Sequence, residues 1–323
     1  MLAAHKGEYI IESSEQMKSR PMKPLMDTLI KLGCTVEYME NEGFLPYKLY
    51  GEHLTGGEIE VESEKSSQFT SALLMTGCLH KEDLIIRPAG KEIAKSYIDI
   101  TLKMMEQFGV HANRSGDGAY VVKAGQEYAS GEYRIEPDIS SSCYFYSAAA
   151  ITGGSVLVKD VRLSSMQGDI KYLDVLRKMG CTLNETDEGI LLKGAEKGMY
   201  KGIDIDMNDC SDQTITLAAI APFASSPTTI RNIQHIKYQE SDRIHAVLTE
   251  LSKMGIMCEE TADGIKIYPG TPKPALIETY DDHRMAMAFS LIGLRTKGIR
   301  IADPSCTSKT FENYFEVFGR MYG

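Results

Sequence analysis

The 323-residue sequence lacks the short patterns that most directly indicate a chemistry. It has no Gly-x-x-x-x-Gly-Lys-Ser/Thr loop for nucleotide phosphates and no Gly-x-Gly-x-x-Gly run after a strand for a dinucleotide. It also has no Gly-x-Ser-x-Gly turn for a nucleophilic serine. The sequence patterns therefore give no support for a nucleotide-binding loop, for a dinucleotide cofactor or for hydrolysis by a nucleophilic serine.

Long apolar runs and paired cysteines are also missing. No run reaches the roughly 18 apolar residues that cross a bilayer, and residues 1–7 do not have the composition of a secretion signal. The seven cysteines form no Cys-x-x-Cys pair, and there is no His-Glu-x-x-His run. We therefore expect a cytoplasmic chain with no membrane partner, no disulfides and no metal ligands.

Positive charge is in short supply, since the formal net charge is -10. A net acidic chain argues against nucleic acid as the main partner. It leaves room for an anionic small molecule, because helix N-termini and a few basic side chains create local positive potential.

A repeated pattern is present. Four helix-like runs end in glycine and are followed by strand-like runs, at Gly33, Gly109, Gly180 and Gly255, in steps of 76, 71 and 75 residues. A fixed period of this kind indicates a repeat architecture. The clearest copy, residues 202–268, predicts the order strand, helix, strand, helix, strand, strand.

Within each copy the first helix is apolar and begins at a polar turn. The pattern predicts such turns at 66–68, 138–142, 208–212 and 281–284, before helices at 69–79, 143–151, 214–224 and 285–294. A strand is predicted before each turn, including one at 133–135. Taken alone, any such turn is most simply a helix cap; taken together, the turns could meet around one ligand.

The two ends of the sequence break the period. Residues 9–11 and a helix opened by Arg20-Pro21 form the second half of a unit, and the last helix, 313–320, lacks closing strands. We therefore predict an α/β (α+β) fold in two domains. Residues 1–136 would hold one half unit and one full unit, and residues 137–323 three units, the last incomplete.

Basic and acidic residues beside these turns are the candidate site. The cations are Arg20, Arg243, Arg284 and Lys309, and the carboxylates are Asp212 and Glu240. Cations with helix N-termini would bind phosphate or carboxylate groups, and a shielded carboxylate would move a proton. The simpler interpretation is solvated charges, caps and structural ion pairs; His283 is either orienting or structural.

Several motifs resemble 5-enolpyruvylshikimate-3-phosphate synthase, and they follow its order over nearly all of the sequence. They are Ser66-Ser67-Gln68-Phe69, Ala72–Met75, Tyr97–Thr101, Met166–Asp169, Asp206–Asp209, Glu240–Arg243, Asp282–Met287 and Lys309–Phe311.

The resemblance implies a transferase of the shikimate pathway of aromatic amino-acid biosynthesis. Its substrates would be shikimate 3-phosphate and phosphoenolpyruvate, with no cofactor. The enolpyruvyl group would move to the 5-hydroxyl, and phosphate would leave. The implied fold is a two-domain inside-out α/β barrel of βαβαββ units.

The resemblance also implies roles for individual residues. Asp212 matches a base at the reacting hydroxyl, and Glu240 matches the group that handles the proton of the enol carbon. Shikimate 3-phosphate would be held by Ser66, Ser67, Gln68 and Tyr97. Phosphoenolpyruvate would be held by Arg20, Arg243, Arg284 and Lys309.

The sequence departs from the family pattern in several places. The Lys-Ser…Arg and Asn-Ala-Gly-Thr motifs are absent, so we expect about a hundred family residues to be missing before this sequence. Gln239 stands where a lysine is usual, Ala94 replaces a serine, and His235 replaces a polar residue beside the ligand.

Two alternatives remain open at this point. One is an inactive remnant, or a subunit that needs a separate N-terminal piece. The other is the transferase that acts on UDP-N-acetylglucosamine, whose pattern has a cysteine shortly before its Arg-Pro motif; residues 15–20 contain none.

Overall fold

The computed structural model describes residues 1–62, 66–90 and 95–322. The chain divides into two compact units, Met1–Tyr133 and Arg134–Gly323. The domain boundary predicted from sequence, after residue 136, lies three residues further along than this division.

The first unit alternates short strands with helices. Its elements are β1 (Gly7–Ile11), α1 (Glu15–Lys18), α2 (Lys23–Lys31), β2 (Thr35–Tyr38), β3 (Tyr47–Gly51), β4 (Gly57–Glu62), α3 (Ser67–Gly77), β5 (Leu84–Ala89), α4 (Lys95–Gln107), β6 (Ala112–Arg114) and β7 (Tyr120–Val122).

The second unit continues the alternation. Its elements are α5 (Ile139–Thr152), β8 (Ser155–Lys159), α6 (Lys171–Met179), β9 (Thr182–Thr186), β10 (Gly189–Lys193), β11 (Asp204–Asp206), α7 (Thr214–Ile220), β12 (Thr228–Arg231), α8 (Arg243–Lys253), β13 (Cys258–Glu260), β14 (Ile265–Ile267), β15 (Leu276–Ile277), α9 (His283–Ser290), β16 (Arg300–Ile301) and α10 (Tyr314–Gly319).

The repeat is visible in the sheets. One sheet in each unit has four strands, in the order β4-β5-β7-β6 and β11-β12-β14-β13. In both, the first pair is parallel and the other two pairs are antiparallel. The order strand, helix, strand, helix, strand, strand that the sequence predicted is therefore present in both units. The other sheets are β1-β3-β2, β8-β10-β9 and β15-β16.

The four period-marking glycines stand just after α2, α4, α6 and α8, as predicted. Gly33, Gly109, Gly180 and Gly255 have φ angles of 104°, 84°, 121° and 78°. These angles lie in the region that favours a residue without Cβ. Each glycine therefore ends its helix and turns the chain into the strand that follows.

Three buried helices form the centre of the second unit. Helix α5 packs on α7, and α7 packs on α9. Their interiors are rich in alanine, with Ala148, Ala218 and Ala286 among the buried residues. Small side chains let the helix backbones approach, so the polar residues at the helix starts are held in fixed positions.

The strand predicted at residues 133–135 is wrong. These residues form no element, and the side chain of Ile135 is 83% exposed. Alternating residues form a strand only where a neighbouring strand supplies hydrogen bonds, and no described strand pairs with this segment. The pattern alone therefore misled the prediction.

Proline explains two shifted helix bounds. The helix expected at Arg20-Pro21 begins at Lys23, with Pro24 in its first turn. The helix expected to run from Thr214 to Ala224 ends at Ile220 and continues as a 3-10 turn. Pro222 lacks the N–H that would continue the helix.

Within residues 1–62, 66–90 and 95–322, every helix is too short or too polar to cross a lipid bilayer. In the same residues, no group of three or more His, Cys, Asp or Glu side chains is placed to hold a metal ion.

Candidate functional site

Arg243 is the first residue of α8, and its side chain is 2% exposed. The helix start is capped by Asp242, whose carboxylate accepts from the His245 N–H at 3.0 Å. A cation at a helix N-terminus is disfavoured by the helix dipole, and a buried charge must be paired. The position of Arg243 therefore requires anionic neighbours.

Every N–H of the Arg243 guanidinium meets a protein acceptor. Nε donates to Asp282 Oδ2 at 2.8 Å, and Nη2 donates to Glu240 Oε2 at 2.7 Å and to Asp282 Oδ1 at 3.5 Å. Nη1 donates to Asp212 Oδ1 at 3.1 Å and to Gln239 Oε1. These contacts use all five donors of the side chain.

Two of these carboxylates bridge Arg243 to a second cation. Asp212 Oδ2 accepts from Arg284 Nη2 at 2.8 Å, and Glu240 Oε1 accepts from Lys309 Nζ at 3.1 Å. The side chains of Arg284 and Lys309 are 13% and 43% exposed, so both cations are more accessible than Arg243. We call this set the Arg243 network; its members are Asp212, Gln239, Glu240, Arg243, Asp282, Arg284 and Lys309.

The network forms where three helices of the second unit begin. Asp212 lies in the 3-10 turn Asn208–Gln213 before α7, Glu240 lies just before α8, and Arg284 lies in the first turn of α9. Lys309 ends the 3-10 turn Pro304–Lys309. The helix starts add positive potential to that of the cations, which suits the region to an anionic ligand.

Asp282 is buried like Arg243. Its carboxylate caps α9 by accepting from the Arg284 N–H at 2.9 Å, and it also accepts from Ser241 Oγ at 3.1 Å. Burial alone would raise its pKa, but the facing Arg243 guanidinium outweighs burial and holds the pKa below its ordinary value. Asp282 therefore stays charged inside the protein.

The backbone before Asp282 is held in an uncommon conformation. Tyr280 and Asp281 have φ angles of 56° and 53°, in the left-handed region. Such residues are strained and occur often where structure around a site enforces them. Here the two residues turn the chain so that Asp282 faces Arg243.

Asp169 lies buried beside these helix starts. It accepts from Ser140 Oγ at 3.0 Å and from Gln213 Nε2 at 3.3 Å. Burial, followed by the negative charge of Asp212, raises the pKa of Asp169 to about 6. Asp169 thereby connects the start of α5 to the residue that precedes α7.

Two histidines near the network are buried. Burial, and then the charge of Arg284, lowers the pKa of His283 to about 4, so its ring is neutral near pH 7 and adds no positive charge. His235 Nε2 lies 2.9 Å from Ser211 Oγ. The choice between an orienting and a structural role for His283 stays a prediction.

In the first unit, Ser66 to Gln68 begin helix α3. Ser66 Oγ accepts from the Gln68 N–H at 3.2 Å, which is a helix cap, and Ser67 is buried. The simple capping interpretation is therefore correct for the hydroxyl of Ser66, and it leaves the roles of Ser67 and Gln68 as predictions.

Tyr97 lies in the first turns of α4, next to α3. The Thr101 hydroxyl donates to the Tyr97 carbonyl at 3.0 Å, and its oxygen lies 2.9 Å from Ser71 Oγ on α3. Because β4 and β5 are parallel, the helices that follow them run in the same direction. Tyr97 and the start of α3 therefore lie at the same end of the helix pair.

Arg20 lies in the turn between α1 and α2, where its N–H donates to the Met17 carbonyl at 3.1 Å. Ala94 lies outside the described residues. Among the predicted site residues, the structure thus joins five by direct contacts in the second unit, and it aligns Tyr97 with the start of α3 in the first.

The structure adds residues to which sequence reasoning gave no role. Asp282 belongs to the motif Asp282–Met287, and its position before a helix predicts a cap. Its pairing with Arg243 spans 39 residues and could not be inferred from the sequence. Gln239 was interpreted only as a lost cation, yet it is an acceptor for Arg243. Asp212 was also considered as a cap, but α7 begins at Thr214, and the N-cap residue is Gln213, which makes no side-chain cap bond.

The fold and this site together define a mixed α/β protein of repeated units with a cluster of cations and carboxylates at helix starts. Comparison with known proteins identifies its family. The sequence profile of EPSP synthase (3-phosphoshikimate 1-carboxyvinyltransferase) matches residues 1–318. The chain belongs to the EPSP synthase family.

Individual relatives agree. A Nostoc punctiforme protein named 3-phosphoshikimate 1-carboxyvinyltransferase is 47% identical over 321 residues, covering 99% of this chain and 75% of the relative. One of the same name from Salmonella newport is 45% identical, covering 99% and 74%. The structure of EPSP synthase from Acinetobacter baumannii matches with a TM-score of 0.80 at 25% identity, covering 99% and 74%.

These findings confirm the family resemblance drawn from the motifs, and they do not favour the two alternatives. The matches support a mixed α/β fold. They do not test the inside-out barrel or the incomplete first unit, which stay predictions. The expected loss of family residues before this sequence stays a prediction.

Proposed function

We propose that this chain transfers the enolpyruvyl group of phosphoenolpyruvate to the 5-hydroxyl of shikimate 3-phosphate, with release of phosphate, as a step of the shikimate pathway. Family membership supports the reaction. The observation that carries the proposal is the Arg243 network, which gathers three cations and three carboxylates at helix starts.

Phosphoenolpyruvate carries a carboxylate and a phosphate, and both are anions. Arg284 and Lys309 are the accessible cations of the network, so we assign them to direct contact with these groups. Each charge-assisted hydrogen bond to such an anion contributes more than a neutral one. Arg243, whose donors are all engaged, holds the acceptors in place and reaches the ligand only by exchanging one of them.

Asp212 and Glu240 are the proposed proton carriers. In the addition step, Glu240 gives a proton to the methylene carbon, and Asp212 takes the proton of the 5-hydroxyl as its oxygen bonds the neighbouring carbon. In the elimination step, Glu240 takes a proton back from the new methyl group as the carbon–oxygen bond to phosphate breaks, and Asp212 returns its proton to the leaving phosphate. Arg243 and Lys309 contact Glu240, and their positive charge stabilises the carboxylate that forms when Glu240 gives up its proton.

We assign shikimate 3-phosphate to the first unit, at Ser66, Ser67, Gln68 and Tyr97. The start of α3 offers backbone N–H groups and hydroxyls, and the ring of Tyr97 offers a flat face at the same end of the helix pair. Arg20 is proposed as a further cation for phosphoenolpyruvate. The inside-out barrel of repeated units is part of the same proposal, and it is supported by the matching sheet orders.

The reaction can be followed by ³¹P NMR of the full 323-residue chain with both substrates. We expect inorganic phosphate and a new phosphorylated product to form together, and only when both substrates are present. Replacing shikimate 3-phosphate by UDP-N-acetylglucosamine should give neither. Phosphate release with the nucleotide sugar, or none with shikimate 3-phosphate, would contradict the proposal.

A further inference from the structure

Gln239 is bonded to the buried cation at the centre of the network. It follows the 3-10 turn Gln234–Tyr238 and stands four residues before Arg243. Its side-chain Oε1 accepts from Arg243 Nη1, the same nitrogen that donates to Asp212 Oδ1. One guanidinium N–H is thus occupied by an amide oxygen.

The acceptors of Arg243 differ in charge. Asp212, Glu240 and Asp282 offer carboxylate oxygens, and Gln239 is the neutral acceptor among those described. A carboxylate or phosphate oxygen from a ligand makes a stronger, charge-assisted bond to a guanidinium than an amide oxygen does. Replacing the amide oxygen by such a ligand oxygen therefore strengthens the hydrogen bond of Arg243 Nη1.

The carboxylates are much harder to displace. Asp212 also holds Arg284, and Glu240 also holds Lys309, so removing either one breaks two ion pairs. Asp282 is fully buried and caps α9. Leaving a buried carboxylate without its partner is costly, whereas an amide can turn towards another polar partner.

We infer that Gln239 sets the affinity of this site for anions, because its amide occupies the Arg243 N–H that a ligand oxygen would use. The inference rests on the proposed function only for the identity of the ligand. An anion binds by displacing the amide. The free energy needed to break the Gln239–Arg243 bond therefore makes the net free energy of anion binding less favourable.

Two substitutions of similar size separate this role from a structural one. Gln239→Met removes the acceptor and leaves the N–H available, so inorganic phosphate should bind about threefold more tightly. Gln239→Glu replaces the neutral acceptor by a charged one that resists exchange and repels anions, so phosphate should bind about tenfold more weakly or worse. Should the Met variant fail to fold, Gln239→Ala carries the same expectation.

Gln234→Met is the matched control. Gln234 begins the 3-10 turn that Gln239 follows, but its amide donates to Glu260 and to the Thr261 carbonyl, both outside the network. Its phosphate affinity should stay within about twofold of the unsubstituted chain. Thermal unfolding of all variants shows which of them are folded.

The measurement is calorimetric titration with inorganic phosphate, repeated with phosphoenolpyruvate. Tighter binding by Gln239→Met together with weaker binding by Gln239→Glu supports the inference. Unchanged affinity in both, weaker binding by Gln239→Met, or no phosphate binding by the unsubstituted chain overturns it. If Gln239→Met binds phosphate more tightly and Gln239→Glu more weakly, but the chain shows no transferase activity, only the proposed reaction is refuted. If the chain is active but the two variants do not show these affinities, only this inference is refuted.

Discussion

Arg243 and Asp282 form an ion pair in the interior of the second unit, with Nε donating to Oδ2 at 2.8 Å and with side chains that are 2% and 0% exposed. The pair joins the first residue of α8 to the cap of α9. Buried pairs are often neutral to stability as a whole but costly to break singly. We therefore interpret this pair as the fixed centre around which the more exposed cations are arranged.

Asp282→Asn should lower the free energy of unfolding by about 3 kcal/mol, because Arg243 loses its fully buried counter-charge. Urea unfolding measures the change. The control is Asp138→Asn, at the cap of α5, where the side chain accepts from the Ser140 N–H at 2.9 Å with no buried arginine. Asparagine also caps helices well, so the control should change stability by less than about 0.5 kcal/mol. Equal effects would show that the ion pair is not responsible.

Gly255→Ala should destabilise the chain by about 1 kcal/mol, because φ at this position is 78° and a side chain there is strained. Gly116→Ala is the comparison, since its φ lies outside the left-handed region and no atom beyond its chain neighbours is found within 4 Å of an added Cβ. Urea denaturation of the two variants isolates the helix-ending conformation. Indistinguishable midpoints would contradict the role given to the repeated glycines.

We expect His80 to make the stability of the first unit depend on pH. It is buried, neither ring nitrogen has a hydrogen-bond partner among the described residues, and burial lowers its pKa to about 4 from an ordinary value of 6.5. Between these values the unfolded chain binds a proton that the folded chain does not, so stability falls as the pH falls from 6.5 towards 4. Above 6.5 this contribution is constant.

Replacing His80 by leucine should remove that part of the pH dependence. Thermal unfolding at pH 5 and pH 8 gives the comparison: the midpoint of His80→Leu should exceed that of the unsubstituted chain by more at pH 5 than at pH 8. The same difference at both pH values would show that His80 does not stay neutral in the folded state.

Arg284 and Lys309 should dominate the binding of anions. Arg284→Met and Lys309→Met are each expected to weaken the binding of inorganic phosphate by about tenfold, since each removes a charge-assisted contact. Arg300→Met, on the exposed side of β16, is the control and should leave the affinity within about twofold. Calorimetry that finds the control as damaging as the other two would indicate general electrostatic attraction rather than a site.

The sequence predicted the local parts of this structure well. The glycines that end α2, α4, α6 and α8, and the polar residues that cap α3, α5 and α9, are decided by contacts within a few residues. The segment 133–135 was predicted wrongly, because whether a strand forms depends on a neighbour that is distant in sequence. The two proline effects were local, but Pro222 was overlooked within an alanine-rich run.

For the site, the sequence supplied the residues but not their pairing. Asp212, Arg243 and Arg284 were selected from turns and motifs, yet their mutual contacts cross 31 to 72 residues of chain. Gln239 was interpreted only as the replacement of a usual lysine. Its bond to Arg243 could be seen only in the folded structure. Charge pairing over long distances is set by tertiary packing, which residue spacing does not encode.

The most direct test of the account is the rate of phosphate release from phosphoenolpyruvate in the presence of shikimate 3-phosphate, for the unsubstituted chain and for Asp212→Asn. The matched control is Asp204→Asn, whose carboxylate pairs with Arg231 on the surface at 2.6 Å. If Asp212 is the proton acceptor, its substitution should lower kcat by about 10²–10⁴-fold while the control stays within about twofold. A rate that survives in Asp212→Asn would contradict the account.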